Sequence, residues 1–415
     1  MSAFKEKHIW KVFESYARVN SFVSTQIDSF NNFINFGMQE VVDQESTIAL
    51  PNYVVKFGQI TLAPPQVIEE DRVLKSAWPN DARLRDLNYD SAILCDISET
   101  YIDRDEKKVV NHPRIVIGRV PIMLRSSVCN LNQINQEDSF QYGECPNDPG
   151  GYFIVKGNER VLVGQMRAVY NHVFVLRQKL GEKHKWIAET RSMSDETGHS
   201  ILLRAMIGSD DRSVDFSLPY IKEPVPVGVV FKALGYEDND IVNLIGLDSA
   251  KALKYIRYIL RDSFFCSSKK EALLHISKYA MHVISEDKEE NYAWQIVETE
   301  TLPHLGVSGS VSEQACFLGR MIRRLLMTHI GERSEDDRDN FTNKRVEAAG
   351  TLMYDIFRNL FKKYTQFIKA QLEKRKQRPD IISIISRIKE ITKGFHRCIA
   401  TGNWGVQKNA SYVRT

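Results

Sequence analysis

The chain has 415 residues, of which 43% are hydrophobic and 26% are charged, and its formal net charge is +3. This length allows about two to four domains, and the composition is that of a globular protein rather than a disordered one. No apolar run approaches the roughly 20 residues of a membrane helix, and residues 1–7 lack the apolar core of a signal peptide, so we expect an intracellular protein.

The first part of the chain is predicted to begin with a helix and to continue in strands. Apolar side chains recur on one side of residues 10–42, as they do in an amphipathic helix. Residues 54–62 alternate between apolar and polar side chains, which is typical of a half-buried strand. Residues 115–124 form a second strand candidate, in which Pro121 favours an edge position or a bend.

A β-hairpin is predicted in the next segment. Tyr152-Phe153-Ile154-Val155 and Arg160-Val161-Leu162-Val163 flank the turn-forming sequence Lys156-Gly157-Asn158-Glu159. The glycines of this region lack the GxxxxGK[ST] order of a phosphate-binding loop, and no helix is predicted directly after them. We therefore interpret them as turn residues.

The second part of the chain is predicted to be mostly helical. In order, its predicted elements are short strands within residues 173–224, helices within 232–291, a helix capped by Ser312 and ending at Ile330, a long helix over 341–377 and another that opens at Pro379. Residues 341–415 contain 16 Lys and Arg against 5 Asp and Glu, whereas the rest of the chain contains 40 and 48. Such a basic segment is typical of a surface that faces phosphates, although solvated basic helix faces would give the same count.

A dense acidic cluster, Glu335-Asp336-Asp337-Arg338-Asp339, precedes the long predicted helix. Carboxylates at i and i+2 could hold Mg²⁺ for phosphoryl transfer, which would make the protein a metal-dependent nuclease centred on Asp336, Asp337 and Asp339. Acidic residues are also favoured at a helix N-terminus for structural reasons, with Asp339 or Asn340 as the cap. The structural interpretation is the simpler one, and the nuclease is the alternative function.

No other pattern points to an active site. The histidines show no HExxH spacing, and the sequence lacks a GxSxG elbow and a paired Cys/His signature. We therefore predict no catalytic residue and no metal site in this chain. Three segments are candidates for phosphate contacts, although plain solvated surface would look the same: Asn343-Lys344-Arg345, Lys374-Arg375-Lys376-Gln377-Arg378 and residues 402–409.

A series of short motifs runs along the chain. The most diagnostic is Glu144-Cys145-Pro146 followed by Asp148-Pro149-Gly150-Gly151-Tyr152-Phe153-Ile154. The others, in order, are Ser24-Thr25-Gln26-Ile27-Asp28-Ser29-Phe30-Asn31, Phe57-Gly58-Gln59-Ile60, Ala82-Arg83-Leu84-Arg85-Asp86-Leu87-Asn88-Tyr89, Gly118-Arg119-Val120-Pro121-Ile122-Met123-Leu124, Leu218-Pro219-Tyr220-Ile221-Lys222, Phe231-Lys232-Ala233-Leu234-Gly235, Asp336-Asp337-Arg338-Asp339 with Asn343-Lys344-Arg345, and Thr401-Gly402-Asn403-Trp404-Gly405. Taken together, they resemble the second-largest (β-type) subunit of multisubunit DNA-directed RNA polymerases, in its eukaryotic, archaeal and large-DNA-virus form.

The resemblance implies an α+β, multidomain fold of mixed helices and antiparallel strands. By the architecture of that family, residues 1–170 correspond to the first part of the protrusion domain and residues 171–330 to the lobe. Residues 331–400 correspond to the segment that returns into the protrusion, and residues 401–415 to the start of the fork. The acidic cluster then falls where the return segment begins, which favours its structural interpretation.

The same resemblance implies a non-catalytic portion of a nucleotidyltransferase. In this family two Mg²⁺ ions serve nucleotidyl transfer and other segments hold them, so we expect no cofactor in this chain. The chain would form a wall of the DNA cleft and contact the nucleic-acid backbone during transcription. The residues predicted to contact nucleic acid are Lys408, Arg414, Gln407, Lys344 and Arg345, of which the first two are expected to face the RNA–DNA hybrid.

The implied partners are the largest polymerase subunit, the remaining C-terminal part of the β-type subunit, DNA, the RNA–DNA hybrid and initiation factors, with no membrane. The implied location is the nucleus, or the cytoplasm or virion if the protein is viral. Relatives usually have paired lysines after Gln407, whereas this chain has Lys408-Asn409. Relatives also continue beyond Arg414-Thr415, and a split gene, an intein-interrupted gene or a fragment would each account for that difference.

Overall fold

The computed structural model describes residues 6–19, 21–71, 73–103, 106–135, 137–179, 183–208, 210–247, 249–281, 285–305, 310–374 and 380–404. The chain divides into two compact units: unit 1 comprises Met1–Met166 and Val346–Thr415, and unit 2 comprises Arg167–Arg345. Both units combine helices with antiparallel strands, which confirms the predicted α+β, multidomain fold class. Among the described helices, none is long and apolar enough to cross a membrane.

The α-helices are α1 (Glu6–Val19), α2 (Ser24–Asn32), α3 (Met38–Gln44), α4 (Pro79–Leu84), α5 (Val227–Leu234), α6 (Asp238–Ile245), α7 (Ala250–Asp262), α8 (Lys269–Ser277), α9 (Glu289–Gln295), α10 (Val311–His329), α11 (Ala349–Glu373), α12 (Ile381–Arg387) and α13 (Glu390–Thr401). The strands are β1 (Thr47–Leu50), β2 (Tyr53–Leu62), β3 (Gln66–Ile68), β4 (Leu74–Ser76), β5 (Asp90–Asp103), β6 (Glu106–Pro121), β7 (Phe153–Val155), β8 (Asn158–Arg160), β9 (Gln165–Ala168), β10 (Phe174–Arg177), β11 (His184–Met193), β12 (Ser200–Gly208), β13 (Val214–Ser217), β14 (Val225–Pro226) and β15 (Lys344–Glu347).

Unit 1 is built on an antiparallel sheet with the strand order β1-β2-β5-β6, against which α3 and α13 pack. Alternate residues of β2, including Val55 and Phe57, are buried because successive side chains of a strand point to opposite faces. The 25-residue helix α11 buries one apolar side, and its Phe361 ring meets the Phe57 ring edge-on, with the centroids 5.5 Å apart. The core of unit 1 therefore joins two segments of the chain that lie far apart in sequence.

Unit 2 is built on a five-stranded antiparallel sheet with the order β10-β11-β12-β13-β14. Helix α5 is apolar on nearly all sides, as its residues Val229, Val230 and Phe231 show, and such a helix is stable only when it is surrounded. It packs against α7, α8 and β13 in the core of the unit. The longer α10 also packs against the sheet, with Leu325 fully buried.

The predicted helix over residues 10–42 is interrupted. Helix α1 ends at Val19 and α2 begins at Ser24, while the Phe33–Gly37 segment is a π-helical turn that leads into α3. The hydroxyl of Ser21 accepts a hydrogen bond from the amide of Val23 at 3.4 Å. Serine competes with the helical backbone in this way, so an apolar period can continue across a break in the helix.

The long helix predicted over residues 341–377 begins later, at Ala349. The side chain of Asn340 accepts a hydrogen bond from the amide of Thr342 at 3.0 Å, which holds a short 3-10 turn. Strand β15 follows this turn and pairs with β9. The prediction was wrong for this stretch because a partner strand about 180 residues earlier in the chain, rather than local propensity, determines its conformation.

Two other helix boundaries differ by a few residues. Helix α10 is capped by Ser310 rather than Ser312: its hydroxyl accepts the amide of Glu313, and the Glu313 carboxylate accepts the amide of Ser310. Pro379, where a helix was expected to open, lies outside the described residues. Asp380 caps α12, and the two helices α12 and α13 stand in place of one continuous helix.

The predicted hairpin is present as β7 and β8, but its turn contains only Lys156 and Gly157, both with positive φ angles. Asn158 and Glu159, expected in the turn, belong to β8, so the second strand begins and ends earlier than the predicted 160–163.

The polymerase domain names stay predictions, but the packing of residues 331–345 can be described. These residues belong to unit 2, whereas residues 331–400 were expected to act together as the segment that returns into the protrusion. The amide of Asp336 donates to the carbonyl of Val175 at 3.0 Å, and the amide of Val175 donates to the carboxylate of Asp336 at 2.8 Å. These two bonds join the segment to β10.

Candidate nucleic-acid interface

Two of the residues predicted to contact nucleic acid lie in the described part of unit 2. The Lys344 ammonium is 3.8 Å from the carboxylate of Asp339, which is itself 97% exposed. The exposed Arg345 guanidinium donates to the carbonyl oxygens of Thr342, at 3.2 Å, and of Lys344, at 2.8 Å. A guanidinium group has five N–H donors, so N–H groups of Arg345 remain available for a phosphate after these two bonds. Gln407, Lys408 and Arg414 lie outside the residues that the structure describes.

The acidic cluster has a structural role. The Asp336 carboxylate accepts hydrogen bonds from the Val175 amide and from the Arg333 guanidinium. The Asp337 carboxylate accepts the amide of Asp339 at 2.8 Å, while the Asp339 carboxylate points into solvent near Lys344. Within the described ranges, no group of three or more His, Cys, Asp or Glu side chains is placed to hold a metal ion.

A shallow cavity of about 290 Å³ opens on the sheet of unit 2 beside this segment. The residues that line it include one glutamate, four arginines and two aromatic residues. The lining residues include Arg167, Tyr170, Phe174, Glu189, Arg191, Leu202, Arg204 and Arg338. We call this feature the arginine pocket.

Strand register brings the arginines together. Glu189 of β11 is paired with Arg204 of β12, and Arg191 is paired with Leu202 two residues further along. Because residues i and i+2 of a strand share a face, Glu189 and Arg191 lie side by side on the same surface of the sheet. Arg338 reaches that surface from the acidic segment, and its Nη2 atom donates to the Glu189 carboxylate at 2.6 Å.

Even without Arg167, the arginines that line the pocket outnumber its one carboxylate. The Glu189 carboxylate is shared between Arg338 and Arg204, whose Nε atom is 3.6 Å away. The Arg167 guanidinium lies over the Tyr170 ring, 3.7 Å from its centroid, within the range of a cation–π contact. Arg191, Arg204 and Arg338 around the one carboxylate of Glu189 form a site suited to phosphate, because the planar fork of arginine can donate two parallel hydrogen bonds to oxyanions.

The predicted basic residues and the arginine pocket lie on neighbouring backbone segments. The amide of Val169 donates to the carbonyl of Asn343 at 3.1 Å, so the segment that carries Arg167 runs beside the one that carries Lys344 and Arg345. The basic surface was predicted within residues 341–415, whereas the arginine pocket was not predicted. Its arginines are spread over four separate segments, and alternation within β11 and β12 was the one local signal that pointed to it.

Comparison with known proteins identifies extensive similarity. Residues 21–393 match the family model described as RNA polymerase beta subunit. The chain is 34% identical to DNA-directed RNA polymerase II subunit 2 of Arabidopsis thaliana, over 99% of this chain and 38% of that protein. It is 31% identical to a probable DNA-directed RNA polymerase II subunit RPB2 homolog of Invertebrate iridescent virus 6, over 99% of this chain and 39% of that protein.

An archaeal relative is similar over most of its own length. DNA-directed RNA polymerase subunit Rpo2N of Methanococcus vannielii is 30% identical over 95% of this chain and 80% of that protein. The chain thus spans less than two fifths of the Arabidopsis and viral relatives but four fifths of the archaeal one.

Proposed function

This chain belongs to the RNA polymerase beta subunit family, and from that premise we propose that it acts as the N-terminal part of the second-largest subunit of a DNA-directed RNA polymerase. In that role it contributes to nucleotidyl transfer as a non-catalytic member of the assembly. The Mg²⁺ ions of that reaction are held by segments other than this chain. Its collinear similarity to eukaryotic, viral and archaeal subunits supports this role.

The proposed contribution of the chain is to form a wall of the DNA cleft and to contact the nucleic-acid backbone. The arginine pocket is the observation that supports it, because three of its arginines, Arg191, Arg204 and Arg338, line this surface of the sheet of unit 2 together with one carboxylate, that of Glu189. Lys344 and Arg345 extend that surface along the neighbouring segment. Arginine and lysine at such positions bind phosphates without reading base sequence, as a cleft wall requires.

The remaining assignments are part of the same proposal. Residues 1–170 and 331–400 would form the protrusion, residues 171–330 the lobe, and residues 401–415 the start of the fork. Gln407, Lys408 and Arg414 would contact nucleic acid there, with Lys408 and Arg414 facing the RNA–DNA hybrid. The partners would be the largest subunit, the rest of the β-type subunit and initiation factors, in a nucleus, or in the cytoplasm or virion of a viral system.

The nuclease alternative receives no such support. The Asp336 carboxylate is already bonded to the Val175 amide and to Arg333, and that of Asp337 holds the turn at Asp339. The Asp336 carboxylate is thereby paired with a cation, and within the described residues no group of three or more candidate ligands surrounds this cluster. We therefore do not propose nuclease activity for this chain.

The test is DNA binding by the full chain, followed by the fluorescence anisotropy of a labelled 20-base-pair duplex over a salt series. Replacing Arg191 and Arg204 together by Ala removes two charges from the pocket. We expect weaker binding, and we expect the slope of log affinity against log salt to fall by about 0.9 for each phosphate that the variant no longer neutralises. A matched variant replaces Arg212 and Lys222, exposed residues of unit 2 that do not line the pocket, by Ala. Equal effects of the two variants, or no effect of the first, would refute the pocket as a phosphate-binding surface.

A further inference from the structure

Helix α7 of unit 2 has one buried side and one basic side. Ala252, Ile256 and Ile259 are buried, and the helix packs against α5, α10 and β13. Its exposed side carries four basic residues at helical spacing, which we call the α7 stripe: Lys251, Lys254, Arg257 and Arg261. Residues three or four positions apart lie on the same side of a helix, so these charges form one continuous band.

The positive charge of the α7 stripe is largely uncompensated within the helix. The sequence of α7 contains a single acidic residue, Asp262, whose carboxylate is 2.8 Å from the Arg261 guanidinium. Two of the basic groups also lie over the Tyr258 ring: the Lys254 ammonium is 5.8 Å from its centroid and the Arg261 guanidinium 5.1 Å. The Tyr258 ring is therefore engaged by cations of this helix.

Large apolar side chains flank the stripe. Leu253 is 41% exposed, and Phe264 and Phe265, which directly follow the helix, are 80% and 55% exposed. The amide of Phe264 donates to the carbonyl of Arg261 at 3.2 Å, so its backbone continues the last turn of α7. Phenylalanine is apolar, so covering its exposed ring with a partner side chain removes apolar surface from water and lowers the free energy of the complex.

We propose that the α7 stripe, together with Phe264, binds an acidic segment of another protein that carries an apolar side chain. If the partner segment is helical and carries carboxylates three or four residues apart, these can form ion pairs with Lys251, Lys254 and Arg257, which have the same spacing along α7. The apolar side chain covers Phe264. A nucleic-acid duplex is the weaker fit, because its outer surface offers phosphates and sugars but no apolar group for Leu253 or Phe264.

The surface is testable with a defined probe and the full chain. The probe is a fluorescein-labelled 20-residue helical peptide with Glu at every third or fourth position and Phe and Leu between them. A second peptide has Ser in place of Phe and Leu, and a labelled 20-base-pair duplex represents nucleic acid. The chain is compared with the variants Lys254→Glu/Arg257→Glu and Phe264→Ser. The matched control, Arg177→Glu/Lys222→Glu, reverses two exposed charges of unit 2 that lie outside α7 and outside α5, α10 and β13, against which α7 packs.

The expected result is binding of the first peptide that weakens as salt is raised. Charge reversal on α7 should raise its Kd by about tenfold or more, because two attractive contacts become repulsive, while the control leaves it unchanged. Phe264→Ser should weaken the first peptide and not the second. The proposal is overturned if the peptide does not bind or if both charge reversals act equally. It is also overturned if reversal on α7 weakens duplex binding more than peptide binding, which would assign the stripe to nucleic acid.

Discussion

The side-chain carbonyl of Gln26 accepts a 2.8 Å hydrogen bond from the amide of Ala349, the first residue of α11. The next amide of that helix, from Gly350, donates to the hydroxyl of Ser29 at 3.1 Å. The first amides of a helix have no partner within it, and Ala348, at the cap position, has no side chain that could supply one. Two side chains of α2 therefore cap the N-terminus of α11, although the bonded residues are 323 and 321 positions apart in the sequence.

The capping bond predicts a measurable loss of stability in unit 1. Replacing Gln26 by Ala leaves the Ala349 amide without its acceptor, which should lower the free energy of unfolding by about 1 kcal/mol. Urea unfolding followed by circular dichroism measures the change. Thr25→Ala is the matched control, because Thr25 is exposed on the same helix. An equal effect of the two substitutions would contradict the capping role.

The close approach of α2 and α11 predicts a larger effect at Gly350. A Cβ atom at this position would lie 1.8 Å from the carbonyl oxygen of Ser29, so one helix would have to move. We expect Gly350→Ala to cost about 3 kcal/mol or more, even though alanine is the better helix former. Thr351→Ala, one residue further along at an exposed position, should change stability by less than about 0.5 kcal/mol. Thermal unfolding of the two variants compares these expectations directly.

The buried Glu99 carboxylate is expected to be a further determinant of stability. It accepts hydrogen bonds from the hydroxyls of Tyr53 and Tyr101 and from Nε2 of His112, each 2.6 Å long. Burial and the bond to this carboxylate both raise the pKa of the Tyr53 phenol. Replacing Glu99 by Leu leaves three polar groups without their acceptor and should cost about 3 kcal/mol or more, whereas Tyr101→Phe should cost about 1 kcal/mol. A smaller loss for Glu99→Leu than for Tyr101→Phe in urea unfolding would argue against this network.

Local signals account for the parts of the fold that the sequence predicted. The turn at Lys156 and Gly157 is determined by adjacent residues, and the hairpin was identified. Residues 344–347 form a strand because β9 lies beside them, and no pattern within those four residues carries that information. The arginine pocket could not be predicted because contacts between distant segments form it. Arg191 and Arg338 become neighbours through strand register and a long-range bond to Glu189.

Four histidines predict how the stability of unit 2 depends on pH. Burial lowers the pKa of each below its ordinary value of 6.5: His172, His275, His304 and His329. As pH falls below about 6.5, the unfolded chain takes up these protons before the folded chain does, so protonation favours unfolding. The Tm should therefore decrease between pH 7.5 and pH 6.0, and His304→Gln should reduce the slope. A Tm that is constant or rises over this range would contradict the assignment.

Unit 1 has a consequence for synthesis on the ribosome, because its core is assembled from both sides of unit 2 in the sequence. Phe57 is translated long before Phe361, against which its ring packs. At a translation rate of roughly 5–20 residues per second, on the order of 15–60 s separate the synthesis of the two residues. During that interval α11 is absent, and the apolar face of β2 is exposed. Unit 2 is contiguous and can fold first. The nascent chain therefore carries a folded unit 2 while the sheet face of unit 1 is still exposed, and such an apolar face is the kind of surface that chaperones bind.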